Sequence, residues 1–120
     1  MNAPERHKSY LLEEDESRLE YSKDEKIPNA GTFTINKEDH TIGNLVRIQL
    51  LRDKEVRFAG YQMPHPLEHR CLVKIQTTRS KPTPVTAFKR CIDDLQTEFE
   101  TLDRQFREQV FKFREEEQRR

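Results

Sequence analysis

Two histidines and two cysteines are the side chains best suited to bind a metal ion. His65, His69 and Cys71 lie within seven residues of one another, and Cys91 follows twenty residues later. Imidazole and thiolate groups are the usual ligands of structural zinc. The spacing fits no standard zinc finger, however, and strand alternation places Cys71 on an inward face. We therefore expect no metal site and no cofactor.

His40 and Cys91 could also pair as a general base and a thiol nucleophile. Cys91 is expected near the start of a helix, a position that favours the thiolate form. The chain has no nucleophile elbow and no obvious third residue to orient the pair, and its three glycines exclude a glycine-rich phosphate loop. An enzyme would need His40 and Cys91 to meet in one pocket. We expect a chain without catalytic activity of its own.

Composition limits the size of the core. Of the 120 residues, 32% are hydrophobic and 37% are charged, whereas about 25% of an average soluble domain is charged. The length suits one domain. The small apolar fraction indicates a chain that is partly extended or is stabilised by a partner.

The charge balance argues against a dedicated nucleic-acid-binding domain. The chain has 22 basic and 22 acidic residues, whereas such domains usually carry a basic excess on one face. We therefore expect little or no direct contact with nucleic acid. No apolar stretch approaches the roughly 20 residues of a membrane span, so no membrane contact is expected. Two cysteines are too few for a disulfide framework, which favours the cytosol or the nucleus.

Residues 1–28 are predicted to form a charged N-terminal arm, and residues 29–120 a single folded domain. Within the arm, Tyr10-Leu11-Leu12 is the one apolar cluster. It could be solvated with the rest of the arm or dock on a neighbour. Asn29–Asn36 is then predicted to form a strand, because Phe33 and Ile35 alternate with threonines.

Asp39–Arg52 is predicted to form an amphipathic helix, with Asp39 or Thr41 as its N-terminal cap. Gly43 costs about 1 kcal/mol relative to alanine inside a helix, which suggests that another backbone comes close there. Two apolar residues lie off the main stripe, so the helix can pack in two directions. The stripe itself has helical spacing and consists of Ile42, Leu45, Val46, Gln49 and Leu50.

Val56–Met63 and Cys71–Thr78 are predicted to form an antiparallel pair of strands. Only a short, proline-containing link separates them, which suits antiparallel pairing. Alternation places two sets of residues on common faces: Val56, Phe58 and Gly60 in the first strand, and Cys71, Val73 and Ile75, facing inward, in the second.

A long helix is predicted over residues 83–117, because Val85 to Glu117 contains no glycine or proline and Pro84 suits the first helical position. About 30 residues extend roughly 45 Å, whereas a compact domain of this size is only about 35 Å across. The helix therefore outruns its own domain, and much of its apolar seam is expected to meet another chain. The seam repeats every three or four residues and consists of Phe88, Ile92, Leu95, Phe99, Leu102, Phe106, Val110 and Phe113.

Three blocks of sequence are more specific than these patterns. The first, Glu38-Asp39-His40-Thr41-Ile42-Gly43-Asn44-Leu45, opens the first predicted helix. The second is Phe58-Ala59-Gly60-Tyr61 followed by Pro64-His65-Pro66, and the third is Lys74-Ile75-Gln76-Thr77-Thr78. In this order, and followed by a long terminal helix, they resemble the alpha-like subunits of multisubunit RNA polymerases. Within that family, two further stretches are similar to the polymerase II class: Met1-Asn2-Ala3-Pro4-Glu5-Arg6 and the stretch from Arg52 to Gln62.

The resemblance implies an α+β fold, in which a small antiparallel sheet carries two packed helices, the second of them long and C-terminal. It implies a non-catalytic subunit that forms a heterodimer with a larger alpha-like subunit. That heterodimer would nucleate assembly of the two largest polymerase subunits for mRNA transcription in the nucleus. The family signature implies special positions for Asp39, His40, Thr41, Gly60, Tyr61, Pro64, His65 and Pro66.

The resemblance also implies that the first helix and the long helix form much of the dimer interface. Gly43 would allow close approach and Asn44 would offer a hydrogen bond, while Phe99 and Phe106 are the expected hot spots. The candidate interface residues, divided between the chain's own core and its partner, are Ile42, Gly43, Asn44, Leu45, Val46, Leu50, Leu95, Phe99, Leu102, Phe106 and Val110.

Other functions stay open at this point. The signature is shared by the smaller alpha-like subunit of polymerases I and III and by the archaeal subunit. A stand-alone coiled-coil homodimer with a small head domain would explain the seam but not the three blocks. It predicts a stable, folded homodimer when the chain is expressed alone.

Overall fold

The computed structural model describes residues 5–119. After a short 3-10 helix at Arg6–Ser9 come a four-stranded antiparallel sheet and two helices, which is the predicted α+β fold. The elements are β1 (Leu19–Lys23), β2 (Ala30–Asn36), α1 (His40–Leu51), β3 (Val56–Gln62), β4 (Arg70–Thr77) and α2 (Pro84–Gln118). The strand order across the sheet is β1-β2-β4-β3.

The core lies between the sheet and the two helices. On β4, Cys71, Val73 and Ile75 are completely buried, because alternate residues of a strand point to one face. Phe33 and Ile35 of β2 join the same cluster. These five inward-facing residues confirm the predicted alternation of both strands.

β1 is a strand that the sequence pattern did not predict, and it lies within the predicted arm of residues 1–28. It pairs antiparallel with β2 along its whole length. Asn36 holds the chain just before it: its side-chain Nδ2 donates to the carbonyl of Ser17 at 2.6 Å, and its backbone N–H donates to the carbonyl of Arg18 at 2.8 Å. Leu19 and Tyr21 are the only apolar residues of this strand, so its alternation is too short to stand out among charged neighbours.

α1 begins as predicted at the cap residue Asp39, whose carboxylate accepts a hydrogen bond from the backbone N–H of Thr41 at 3.0 Å. Capping of this kind satisfies a donor that the first helical turn leaves free. The buried residues of α1 are Gly43, Val46, Gln49 and Leu50.

β3 contains a bulge near its start. Val56 pairs with Thr77 and Phe58 pairs with Gln76, so two steps along β3 match one step along β4. A bulge of this kind reverses the facing of the residues that follow it. Ala59 is consequently buried and Phe58 is exposed. The prediction that Val56 and Phe58 share one face is wrong for this reason.

α2 is capped by Thr83, whose hydroxyl accepts from the backbone N–H of Thr86, and Pro84 occupies its first turn as predicted. Its 35 residues extend about 52 Å. The radius of gyration of the chain is 18.9 Å, against about 14 Å for a compact domain of this length. The excess reflects the end of α2, which projects beyond the sheet. Among residues 5–119, no helix is long and apolar enough to cross a membrane.

Candidate dimer interface

α1 and the first half of α2 lie side by side on the sheet. The Cys91 thiol donates to the backbone carbonyl of Val46 at 3.6 Å. Arg52 and Glu98 form an ion pair between the two helices at 2.9 Å. α1 therefore covers one side of α2 and leaves the opposite side open.

The candidate residues on α1 fall into two groups. Gly43, Val46 and Leu50 are buried in the chain's own core, whereas Ile42 and Leu45 are half-buried at its margin. Asn44 is half-buried too, and its side-chain oxygen accepts two hydrogen bonds from the guanidinium of Arg47. The accessible part of α1 also includes the exposed residues Ile48 and Leu51.

Gly43 is required by side chains of the same chain. A Cβ atom at this position would lie 2.6 Å from Cδ2 of Tyr61 and 2.7 Å from Sγ of Cys71. The expectation that another backbone approaches Gly43 is therefore wrong, because the space is filled by a tyrosine ring from β3 and a thiol from β4.

The seam of α2 divides at the edge of the sheet. Phe88 and Leu95 are buried against the sheet and α1. Beyond them, Phe99, Leu102 and Phe106 are exposed, and Val110 is half-buried. The candidate interface residues on the distal half of α2 thus remain accessible, while Leu95 serves the chain's own core.

A second apolar pattern extends along α2, from its first turn to Phe113. Five apolar residues at intervals of seven stay between 42% and 67% exposed, even where the helix lies over the sheet. A seven-residue apolar repeat is the pattern by which one helix packs along another. We call these residues the outer line: Val85, Ile92, Phe99, Phe106 and Phe113.

Two of the signature residues, His40 and Tyr61, connect α1 to the sheet. Nδ1 of His40 lies 3.0 Å from the hydroxyl of Tyr61, and the two rings meet edge to face at 5.6 Å. The ring of Phe58 lies against Gly60. In the link between β3 and β4, which contains Pro64 and Pro66, Nδ1 of His65 accepts from the backbone N–H of Leu67 at 3.0 Å.

Cys91 is not an activated nucleophile. Burial is the main cause that raises the pKa of its thiol, to about 12, and the negative charges of Asp94 and Asp53 add to the effect. The expectation that the helix start favours the thiolate is wrong here, because desolvation outweighs the helix dipole. Burial also raises the pKa of Cys71. His40 contacts Tyr61 while Cys91 contacts Val46, so each has a different partner.

The candidate metal ligands are not assembled into a site. Within the part of the chain that the structure describes, no group of three or more His, Cys, Asp or Glu side chains could hold an ion. Cys71 and Cys91 are free and buried, and Nδ1 of His65 is engaged by the backbone of its own turn.

The exposed apolar residues that were not among the candidates include one pair on the sheet and two residues on α2. Leu19 and Tyr21 belong to β1, and Val85 opens the outer line. Phe111 is exposed as well; it follows Phe106 by five residues and therefore points about 140° away from it around the helix. The seven-residue spacing from Ile92 could have identified Val85 from the sequence.

Comparison with known proteins connects this arrangement to one family. Residues 30–105 match the RNA polymerase Rpb3/Rpb11 dimerisation domain. The chain is 46% identical over 114 residues to the DNA-directed RNA polymerase II subunit rpb11 of Dictyostelium discoideum, covering 95% of this chain and 94% of that one. It is 52% identical over 103 residues to the probable RNA polymerase II subunit RPB11 of Caenorhabditis briggsae, covering 86% and 83%. The crystal structure of RNA polymerase subunit L from Thermoplasma acidophilum has the same fold, with a TM-score of 0.62 and 22% identity over 78% of this chain and 90% of that one.

Proposed function

The chain belongs to the Rpb3/Rpb11 dimerisation family as a non-catalytic assembly subunit of RNA polymerase II, and on that premise we propose that its partner is the larger alpha-like subunit. The partner binds the accessible side of α1 and the outward side of α2. The resulting heterodimer is the nucleus on which the two largest polymerase subunits assemble, and its place of action is the cell nucleus.

The exposed distal seam is the observation that supports this proposal most strongly. Phe99, Leu102 and Phe106 are each more than half exposed, and burying one such side chain is worth about 1.5–3 kcal/mol. Since these side chains are already partly covered, a seam of this size facing water leaves roughly 3–5 kcal/mol of burial unrealised. A partner that covers it recovers this free energy, which suits a subunit whose role is to hold an assembly together.

The other partners require surfaces away from the seam. Phe58 is exposed on the sheet face opposite the helices, and Phe111 is exposed on the side of α2 that faces away from Phe106. Apolar residues placed in this way suit contacts with further chains once the heterodimer has formed. The two largest subunits are our proposed occupants. The zero net charge fits a position with little or no nucleic-acid contact.

Co-expression with the larger alpha-like subunit tests the proposal, followed by size-exclusion chromatography with mass detection. We expect a 1:1 heterodimer. Phe106→Glu places a charge in the seam and should abolish the heterodimer. Gln105→Glu adds the same charge one residue away, about 100° around the helix, and should leave it intact.

The alternative of a coiled-coil homodimer gives a different result in the same experiment. A chain that does not bind the larger subunit and elutes as a homodimer, with Phe106→Glu producing a monomer, would contradict the heterodimer and favour self-association.

The proposed location has its own test. A tagged chain that accumulates in the nucleus only when it can bind its partner would support the proposed location. Nuclear exclusion of the intact heterodimer would contradict it.

A further inference from the structure

β1 carries an apolar face that is turned to the same side as the helices. Leu19 lies opposite Ile35, and Tyr21 lies opposite Phe33. Residues directly opposite each other on neighbouring strands project from the same face of a sheet. Ile35 and Phe33 are buried in the core, yet Leu19 remains 45% exposed and Tyr21 40% exposed. The helices of this chain therefore do not extend far enough to cover β1.

Tyr21 contacts the margin of the core through its ring. Its ring centroid lies 4.7 Å from that of Phe33, which in turn stacks on Phe88 of α2 at 4.2 Å. The Tyr21 ring also lies over Gly31, where an added Cβ atom would collide with it. Three aromatic rings in contact thus connect β1 to α2, and the outermost, Tyr21, remains partly exposed.

The apolar surface of β1 continues into the outer line of α2. Tyr21, Ile27 and Val85 line one groove, between the β1–β2 connection and the start of α2. Val85 is the first residue of the outer line, which then runs about 42 Å to Phe113. Charged residues, Lys23 and Glu25 among them, also line the groove. Protein interfaces usually combine apolar with polar or charged residues in this way.

We propose that the larger alpha-like subunit covers β1 as well as the helices, so that the interface begins at Leu19 and Tyr21. This inference rests on the proposed function, because it assigns the same partner to a surface continuous with the seam. It extends the interface beyond residues 30–105, the part of the chain that matches the dimerisation domain. A partner segment packed along the outer line reaches the groove at Val85, and there it buries the exposed part of Tyr21.

Thiol labelling within the purified heterodimer tests this inference. Cys71 and Cys91 are buried, so a cysteine introduced at the surface reacts selectively. Leu19→Cys places the probe on the proposed contact face of β1. Ser22→Cys places it on the opposite face of the same strand, where Ser22 is exposed, and serves as the control. Each labelling rate is divided by the rate for the same variant unfolded in urea.

We expect the Leu19→Cys thiol in the heterodimer to react at least about tenfold more slowly than the Ser22→Cys thiol, since labelling requires the covered surface to open. Equal rates in the heterodimer would overturn the inference. Protection that develops only in the complete polymerase would also overturn it and assign β1 to a third chain. Protection of the chain alone at high concentration would assign β1 to a second copy.

A charge on β1 supplies an independent measurement. Leu19→Glu should weaken the heterodimer about tenfold in Kd, equivalent to about 1.4 kcal/mol. Ser22→Glu should leave the Kd unchanged. If Leu19→Glu has no effect while Phe106→Glu still abolishes binding, this inference fails and the proposed function stands. If neither variant affects binding, the proposed function itself fails.

Discussion

The two halves of α2 have the same apolar spacing but different surroundings. Leu95 and Leu102 are identical residues seven positions apart, so they lie on nearly the same side of the helix. Leu95 is 7% exposed, however, and Leu102 is 61% exposed. Spacing determines on which side of a helix the apolar residues lie, whereas the length of the neighbouring elements determines which of them the chain itself can cover.

The difference follows from the dimensions of the sheet. β4 has eight residues and is therefore about 26 Å long, roughly half the length of α2. The proximal half of α2 packs on β4 and α1. The thiol of Cys91 donates a hydrogen bond to the carbonyl of Val46, and Arg90 forms an ion pair with Glu55 at 2.7 Å. The ion pairs of the distal half, such as Arg107 with Asp103, lie within α2 itself. The distal apolar surface is therefore left uncovered by this chain, as the proposed interface requires.

The largest expected effect comes from removing the distal aromatic residues. The double substitution Phe99→Ala and Phe106→Ala should weaken the heterodimer by about 4 kcal/mol, or a thousandfold in Kd, because buried aromatic residues dominate interface energetics. The Kd is measurable by titration with the larger alpha-like subunit. Phe111→Ala is the matched control on the other side of the helix and should leave the Kd nearly unchanged. An equal loss with Phe111→Ala would contradict the assignment of the seam.

The same truncation in each half compares the two environments directly. Leu95→Ala should lower the free energy of unfolding of the chain by about 2–5 kcal/mol, because it creates a cavity in the core. Leu102→Ala should change it by no more than about 0.5 kcal/mol, since an exposed side chain leaves no cavity. Urea unfolding of the two variants measures both values. Similar losses of stability would mean that the chain covers its own distal seam.

Most of the fold followed from local patterns in the sequence. The periodicity of α1 and α2, the cap at Asp39 and the alternation of β4 depend only on nearby residues, and the structure confirms them. β1 was missed because two apolar residues among charged ones give no clear alternation. The strand forms by pairing with β2, a contact that the local sequence does not reveal. The facing of Phe58 was wrong because a bulge is set by the pairing of β3 with β4.

The candidate interface was predictable in part for the same reason. The seam is a local pattern, and its excess length over a compact domain indicated a partner. The division between Leu95 and Phe99 was not predictable, because it depends on where the sheet ends beneath the helix. Gly43 was recognised as special, but the ring of Tyr61 and the thiol of Cys71 reach it only through the tertiary fold.

Gly43→Ala tests whether the stability of the chain depends on the close packing of α1 against the sheet. The added methyl group would meet Tyr61 and Cys71 at less than 3 Å, and overpacking of this kind costs about 1–3 kcal/mol. We expect a lower unfolding midpoint in urea for the chain. Asn44→Ala, at the half-buried neighbouring position, should have a smaller effect on stability. A Gly43→Ala variant as stable as the parent would show that the contacts with Tyr61 and Cys71 relax without cost.

The smallest effect concerns pH. Cys91, in the proximal half of α2, should make the stability of the chain depend on pH. Its pKa is raised from the ordinary 9.0 to about 12 in the folded chain. Between these values the unfolded chain releases the thiol proton and the folded chain retains it. The contribution of this group to stability should therefore be constant well below pH 9 and fall as the pH rises through 9, with a slope that approaches about 1.4 kcal/mol per pH unit. Cys91→Ala should reduce the slope in urea unfolding at pH 9 to 10.5, while Cys71, whose pKa burial also raises, still contributes; an unchanged slope would contradict the assignment.

Hydrogen exchange along α2, in the free chain and in the heterodimer, tests the central claim most directly. An isolated helical segment opens readily in water, whereas a packed one is protected. We predict that amides of residues 99–117 exchange at least about a hundredfold more slowly in the heterodimer, as expected when opening requires an interface to separate. Amides of the proximal half, from Phe88 to Leu95, should change far less. Equally fast exchange of the distal amides in both states would show that the larger alpha-like subunit does not bind the seam.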